Sequence, residues 1–212
     1  MRIYHWLAGF AAGLMLTAAA GAEPVCEVLA VRGEATVATK ALAVGDKLER
    51  GAELRTGAEG RVRLRFNDGS TVVVSDRSVL RIERFQIEPG GRNRDASLLL
   101  EIGLIGQKVT PSTGGAWEVR TPTAVTAVRG TEFIVEVGTD LATEVNVQSG
   151  KVEVEAVQSA AGGGTRSLRP RSRVLLEAPS ASTKCKPTTG CSAVAVWTPE
   201  RSQRMQDRLA GF

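Results

Sequence analysis

Three arginines at alternate positions, Arg61, Arg63 and Arg65, are interleaved with Val62, Leu64 and Phe66. Side chains along a strand leave on opposite faces in turn, so the spacing predicts a strand with guanidinium groups on one face and a buried apolar stripe on the other. Such a row could bind an acidic protein surface or an anionic glycan; the plainer reading is a solvated face balanced by Glu53, Glu59 and Asp68. A second constellation is Arg129, Gly130 and Thr131 ahead of Phe133. Glycine adopts positive φ without a Cβ clash, threonine can bond a turn amide, and arginine can satisfy several carbonyls, so the three suit a strand crossing; the other reading is a partner contact. Phe133 belongs in the core.

The first residues read as an export leader. A positive start at Arg2 precedes an apolar Ala/Gly/Leu-rich stretch, and Ala20 and Ala22 stand in the arrangement signal peptidase accepts. Residues 1–22 are therefore expected to be a signal peptide, the alternative being an uncleaved anchor, with a mature chain from Glu23 and a periplasmic or secreted location. Cleavage would remove His5 and Tyr4, the only histidine and tyrosine. Without histidine there is no Ser-His-Asp or Cys-His pair and no imidazole metal site. G-x-S-x-G, S-x-x-K and P-loop patterns are absent, and no spacing singles out a carboxylate pair among the 23 acidic residues. The expectation is a non-enzyme with no catalytic residue, no metal and no cofactor. The net charge of +4 does not call for nucleic acid, and no second segment is apolar enough to span a bilayer.

Three cysteines in an exported chain allow one bridge. Cys185 and Cys191 enclose a short turn-forming loop and are the preferred pair, although Cys26 could pair with either. The elements around these residues are short strands punctuated by glycine. Runs 26–31 and 34–37, then 61–66 and 71–74 around Asn67, Asp68 and Gly69, are followed by Leu80 and Ile82 on one inward face. A polar loop is expected from Pro89 to Asp95. Strands resume at Leu98 to Glu101, Trp117 and 125–135, and a hairpin is expected around Gly150 from 145–147 and 152–154. Val31-Arg32-Gly33 is weakly echoed by Val128-Arg129-Gly130. Gly162 to Gly164 mark a break before a strand near 167–176, and Thr198 and Pro199 open a short helix to Leu209, with Met205 and Leu209 on one side. The fold class is all-β, a stack of short strands with a short C-terminal helix, organised as residues 23–157 and an extension 158–212.

Gly51, Leu54, Thr56, Gly57, Val62, Leu64, Asp68-Gly69-Ser70, Val72, Val74, Leu80, Ile82, Thr121-Pro122, Val128-Arg129-Gly130-Thr131, Phe133, Val145, Gly150 and Val152 together resemble the FecR domain over about residues 45–157. The resemblance implies a periplasmic all-β module like a twisted β-solenoid, which relays signals from outer-membrane transporters to a sigma factor through protein contacts. Full FecR regulators also carry an anti-sigma segment and an internal membrane helix, and this chain is expected to be an exported FecR-domain protein lacking both. The partner expected is an envelope protein; the alternative is a glycan or peptidoglycan binder, for which Trp117, Trp197 and four phenylalanines are a sparse supply of platforms. Arg61, Arg63, Arg65, Arg129, Gly130 and Thr131 are the candidate contact residues.

Overall fold

The alternation at 61–66 does form a strand, with Val62, Leu64 and Phe66 buried and the arginines on the other face. The computed structural model describes residues 23–88, 93–159 and 168–212. The expected leader, residues 89–92 of the polar loop and the Gly162–Gly164 break lie outside the described residues.

Two layers, sheet A and sheet B, are woven by a chain that repeatedly changes sides. β1 (Pro24–Arg32) lies in sheet A, β2 (Ala35–Val37) and β3 (Lys40–Ala41) in sheet B, β4 (Lys47–Glu49) in A and β5 (Glu53–Thr56) in B. The hairpin β6 (Arg61–Phe66) and β7 (Thr71–Val74) returns to A, and β8 (Val79–Ile87) to B. β9 (Arg94–Lys108) serves both layers, its first part pairing with β8 in B and its last part with β7 in A. β10 (Trp117–Arg120) and β11 (Ala124–Val128) follow in B, then β12 (Glu132–Val137) and β13 (Thr143–Ser149) in A, and β14 (Val152–Ser159) and β15 (Leu168–Leu176) in B. β16 (Ala181–Lys186), β17 (Gly190–Cys191) and β18 (Ala195–Val196) finish sheet A, and α1 (Pro199–Leu209) crosses its outer face.

Strand order within each layer largely follows chain order, and among the described residues every strand pairing is antiparallel except β9 with β10. The result is an open mixed sheet folded over at β9. The all-β expectation and its short C-terminal helix are met among the described residues; the solenoid expected from the resemblance extends no further than this chain-order progression. The fold-over occurs at Gly103, where φ is +105° and a Cβ would lie 2.1 Å from Ser78 Oγ and 2.5 Å from Ser78 Cα. Only glycine lets the strand pass this closely over Ser78, just ahead of β8, and change layers.

The inner faces of both layers merge in one apolar core that includes Leu64, Leu80, Leu98, Val119, Phe133 and Val147. Phe66, Phe85 and Trp117 form its aromatic centre, with Phe66 edge-on to Trp117 at 5.0 Å between centroids. A separate, smaller cluster of Leu104, Ile134, Trp197 and Met205, with Leu209 against it, lies on the opposite side of sheet A beneath α1. The helix starts as its sequence dictates: Thr198 Oγ1 accepts the Arg201 amide, and Pro199 needs no donor in the first turn.

Two sequence expectations are corrected. Gly150 does not close a hairpin, because β13 pairs with β12 and β16 in sheet A whereas β14 pairs with β11 and β15 in sheet B. The turn is a crossing between layers, so the two valine runs face each other across the core. The expected polar loop ends too late at Asp95: Arg94 already belongs to β9 and is buried, sharing the inward frame of Ala96, Leu98 and Leu100. Cys185 and Cys191 are disulfide-bonded across the β16–β17 pair. Cys26 is buried in β1, and burial pushes its thiol up to about 12 against a smaller opposing effect of a backbone hydrogen bond at Leu48.

Candidate functional site

Registers across sheet A align its outward side chains in rows. Arg63, Val73, Gly106, Ile134 and Asn146 are consecutive cross-strand partners from β6 to β13. One step toward one end of the strands, Glu27, Arg65, Thr71, Lys108 and Glu132 form a parallel row. Toward the other end lie Leu104, Glu136 and Glu144. α1 covers the last row and part of the first. The charged row stays open, and between it and the helix runs a groove of about 590 Å³ lined by Arg63, Thr71, Val73, Lys108, Glu132, Gln148 and Gln206, among others.

The three predicted arginines therefore share one face yet meet different fates. Arg61 donates to the Ala210 carbonyl, the Arg63 guanidinium lies 4.4 Å from the centre of the Phe212 ring, and Arg65 pairs with Glu27 at 3.1 Å. None is balanced by the expected carboxylates. Glu53 sits on the outer face of sheet B, where Arg81 and then Arg55 hold its carboxyl below the usual carboxylate range. Asp68 is inside.

The Arg129-Gly130-Thr131 turn lies at the layer crossing between β11 and β12. Gly130 has φ +116°, and a Cβ there would lie 2.8 Å from Pro111 Cα. The buried Thr131 hydroxyl donates to the Lys151 carbonyl at 2.9 Å. Arg129 is exposed and makes no hydrogen bond or ion pair among the described residues. Gly130 and Thr131 thus shape a crossing, and Arg129 alone of the three projects outward.

A buried polar network went unread in the sequence. Asp68 accepts the Ser70 amide (2.9 Å) and hydroxyl (2.7 Å) within its turn, and Arg94 reaches it from β9 at 2.5 Å. The same guanidinium donates to the Thr110 carbonyl at 2.8 Å and lies 5.4 Å from the centre of the Trp117 ring. The Arg94 and Asp68 side chains are only 3% and 8% exposed, so the pair welds the β6–β7 turn to β9, beneath the open row. Arg94 at a period-two offset from Ala96, Leu98 and Leu100 was the available signal.

Sheet B presents a different outer face. Arg55 and Arg81 meet Glu53, Arg84 meets Asp95 and Glu118, Arg120 meets Glu83, and Arg173 meets Glu153 and Glu155. These exposed pairs contribute little stability each, but they neutralise one another strand by strand. In sheet A, Lys108 and Glu132 have no ion-pair partner among the described residues. Trp117, Trp197, Phe66, Phe85 and Phe133 are all buried, and Phe212 lies against Arg63. Among the described residues, no group of three or more His, Cys, Asp or Glu could hold a metal ion, and no helix is long and apolar enough to cross a membrane.

Residues 52–153, which run from the start of β5 into β14 and include five strands of the groove, match the family model for FecR protein. Two crystal structures of a Parabacteroides distasonis protein, provisionally described as an anti-sigma factor, superpose with TM-scores of 0.53 and 0.54 at 22% identity. The match covers 71% of this chain and 62% of those chains, and at that identity it is a likeness of fold. No curated protein gives a match.

Proposed function

We propose, from the match of residues 52–153 to the family model for FecR protein, that the chain is an extracytoplasmic, non-enzymatic interaction module that works in signalling by binding another envelope protein through the outer face of sheet A. The observation that carries this reading is the contrast between the two faces. Sheet B cancels its charges internally, whereas sheet A leaves Lys108, Glu132 and the groove beside them for an outside partner. Fixed charges on rigid strands give register and on-rate to such docking, while Val73 supplies apolar contact. The leader expected in residues 1–22 and the Cys185–Cys191 bridge both suit an oxidising compartment.

The glycan reading has little left to stand on, because Trp117, Trp197, Phe66, Phe85 and Phe133 are buried and the one exposed ring among the described residues, Phe212, is taken up by Arg63. Lys108→Glu tests the protein reading. Lys108 is exposed, so stability should stay within about 0.5 kcal/mol of wild type. Capture of an envelope protein by immobilised, folded chain should fall with Lys108→Glu and be unchanged with the sheet B control Arg120→Glu. Equal capture by all three forms would refute docking on sheet A.

A further inference from the structure

The segment 198–212 is fastened to sheet A by three kinds of contact. Met205 and Leu209 rest on Leu104 and Ile134, with Trp197 at the edge. Around them Arg201 pairs with Glu144 at 2.6 Å, and Arg208 pairs with Glu136 at 2.6 Å and with Asp76 at 3.2 Å. Past the helix, Arg61 and Arg32 hold the carbonyls of Ala210 and Gly211, and Arg63 holds the Phe212 ring. The sheet therefore offers an apolar strip flanked by carboxylates, then by guanidinium donors. That is a receptor for a helix with apolar residues four apart, arginines seven apart, and free main-chain carbonyls at its end.

The helix is also separable from the rest. Its apolar cluster is a small one on the outer side of sheet A, apart from the core between the layers. Eleven residues are marginal as a helix without such docking, and its ion pairs keep access to solvent. Lifting it off would expose that small cluster and leave the core between the layers intact, as is expected of low-stability elements of a fold.

We propose that segment 198–212 is a displaceable plug, occupying in cis the part of sheet A that receives a basic amphipathic helix of the partner protein. This deepens the docking proposed above and rests on it. With the plug in place, the partner reaches only the charged row and the groove; with it displaced, Leu104, Ile134, Glu136 and Glu144 become available. A site closed more than about nine-tenths of the time lowers apparent affinity about tenfold or more.

The test uses the full chain and a fluorescein-labelled peptide of residues 198–212 as probe. Wild type should bind the peptide weakly. The doubly substituted chain Arg201→Glu/Arg208→Glu, whose plug is repelled by Glu136, Glu144 and Asp76, should bind it at least about tenfold more tightly with an unchanged β circular dichroism spectrum. Equal binding to both chains, whether weak or tight, overturns the plug. Hydrogen exchange on the wild-type chain checks the same claim without substitution: amides 203–209 should exchange far faster than those of β12, and equal protection overturns it. Envelope-protein capture that depends on Lys108 but not on the plug would leave the docking reading standing and remove this one; loss of dependence on both removes the docking reading itself.

Discussion

Arg94→Met removes a cation from a site that cannot rehydrate its partner. Asp68 is 8% exposed and would keep its two hydrogen bonds from Ser70 while losing its only ion pair among the described residues, and the Thr110 carbonyl would lose the guanidinium donor. Breaking a buried pair from one side typically costs about 3–5 kcal/mol, because the remaining charge stays desolvated. For a domain of this size each kcal/mol lowers Tm by about 2–4 °C, so the loss should be roughly 6–20 °C. Urea unfolding followed by tryptophan fluorescence measures it, with a lower midpoint and an unchanged m-value as the signature of lost stability. Asp68→Asn should be similarly damaging from the other side, leaving Arg94 unpaired over Trp117. The double substitution should cost less than the sum of the singles by about 0.5–3 kcal/mol, since neither charge is then stranded. An Arg94→Met chain within about 0.5 kcal/mol of wild type, or strictly additive singles, would refute the reasoning.

Gly103→Ala places a methyl group on Ser78 at a positive φ and should cost at least about 2 kcal/mol in the same urea assay. Cys26 should resist iodoacetamide in the native chain at pH 8, because burial pushes its thiol up to about 12; peptide mass mapping should find it modified only after denaturant is added, with Cys185 and Cys191 modified only after reduction. Burial pushes the Asp76 carboxyl up, but the Ser75 hydroxyl and Arg208 pull it down further, so its net position is below the ordinary 3.8. A lowered folded value means stability present above 3.8 and lost as pH falls through the folded value. Docking of α1, read by the Trp197 indole resonance, should therefore weaken below about pH 3.8, and Asp76→Asn should flatten the part of that loss due to Asp76.

Where one face of an element is buried, its sequence carried the answer. Val62, Leu64 and Phe66 fixed their strand, and Met205 and Leu209 fixed the docked side of α1, because a half-buried element writes its period into the chain. β9 was legible only in part: its core-facing positions are even-numbered up to Leu100 and odd-numbered from Ile105, and the change of layer at Gly103 depends on Ser78, 25 positions earlier in the chain. The same limit hid the Asp68–Arg94 pair, whose members are 26 positions apart. Gly150 looked like a hairpin because a turn residue between valine runs does not say whether the runs pair or cross. For the candidate site, the sequence placed Arg61, Arg63 and Arg65 on one face but could not foresee that segment 198–212 comes to rest against two of them. Lys108 had no motif to mark it; only the register of β7, β9 and β12 puts it beside Thr71 and Glu132.

The most direct measurement is site-specific photo-crosslinking in the intact envelope, with the reactive residue placed at Val73 on the outer face of sheet A or at Leu99 on the outer face of sheet B. The account predicts a discrete protein adduct from Val73 and none from Leu99. Adducts to glycan alone, or the same protein adduct from both positions, would contradict it.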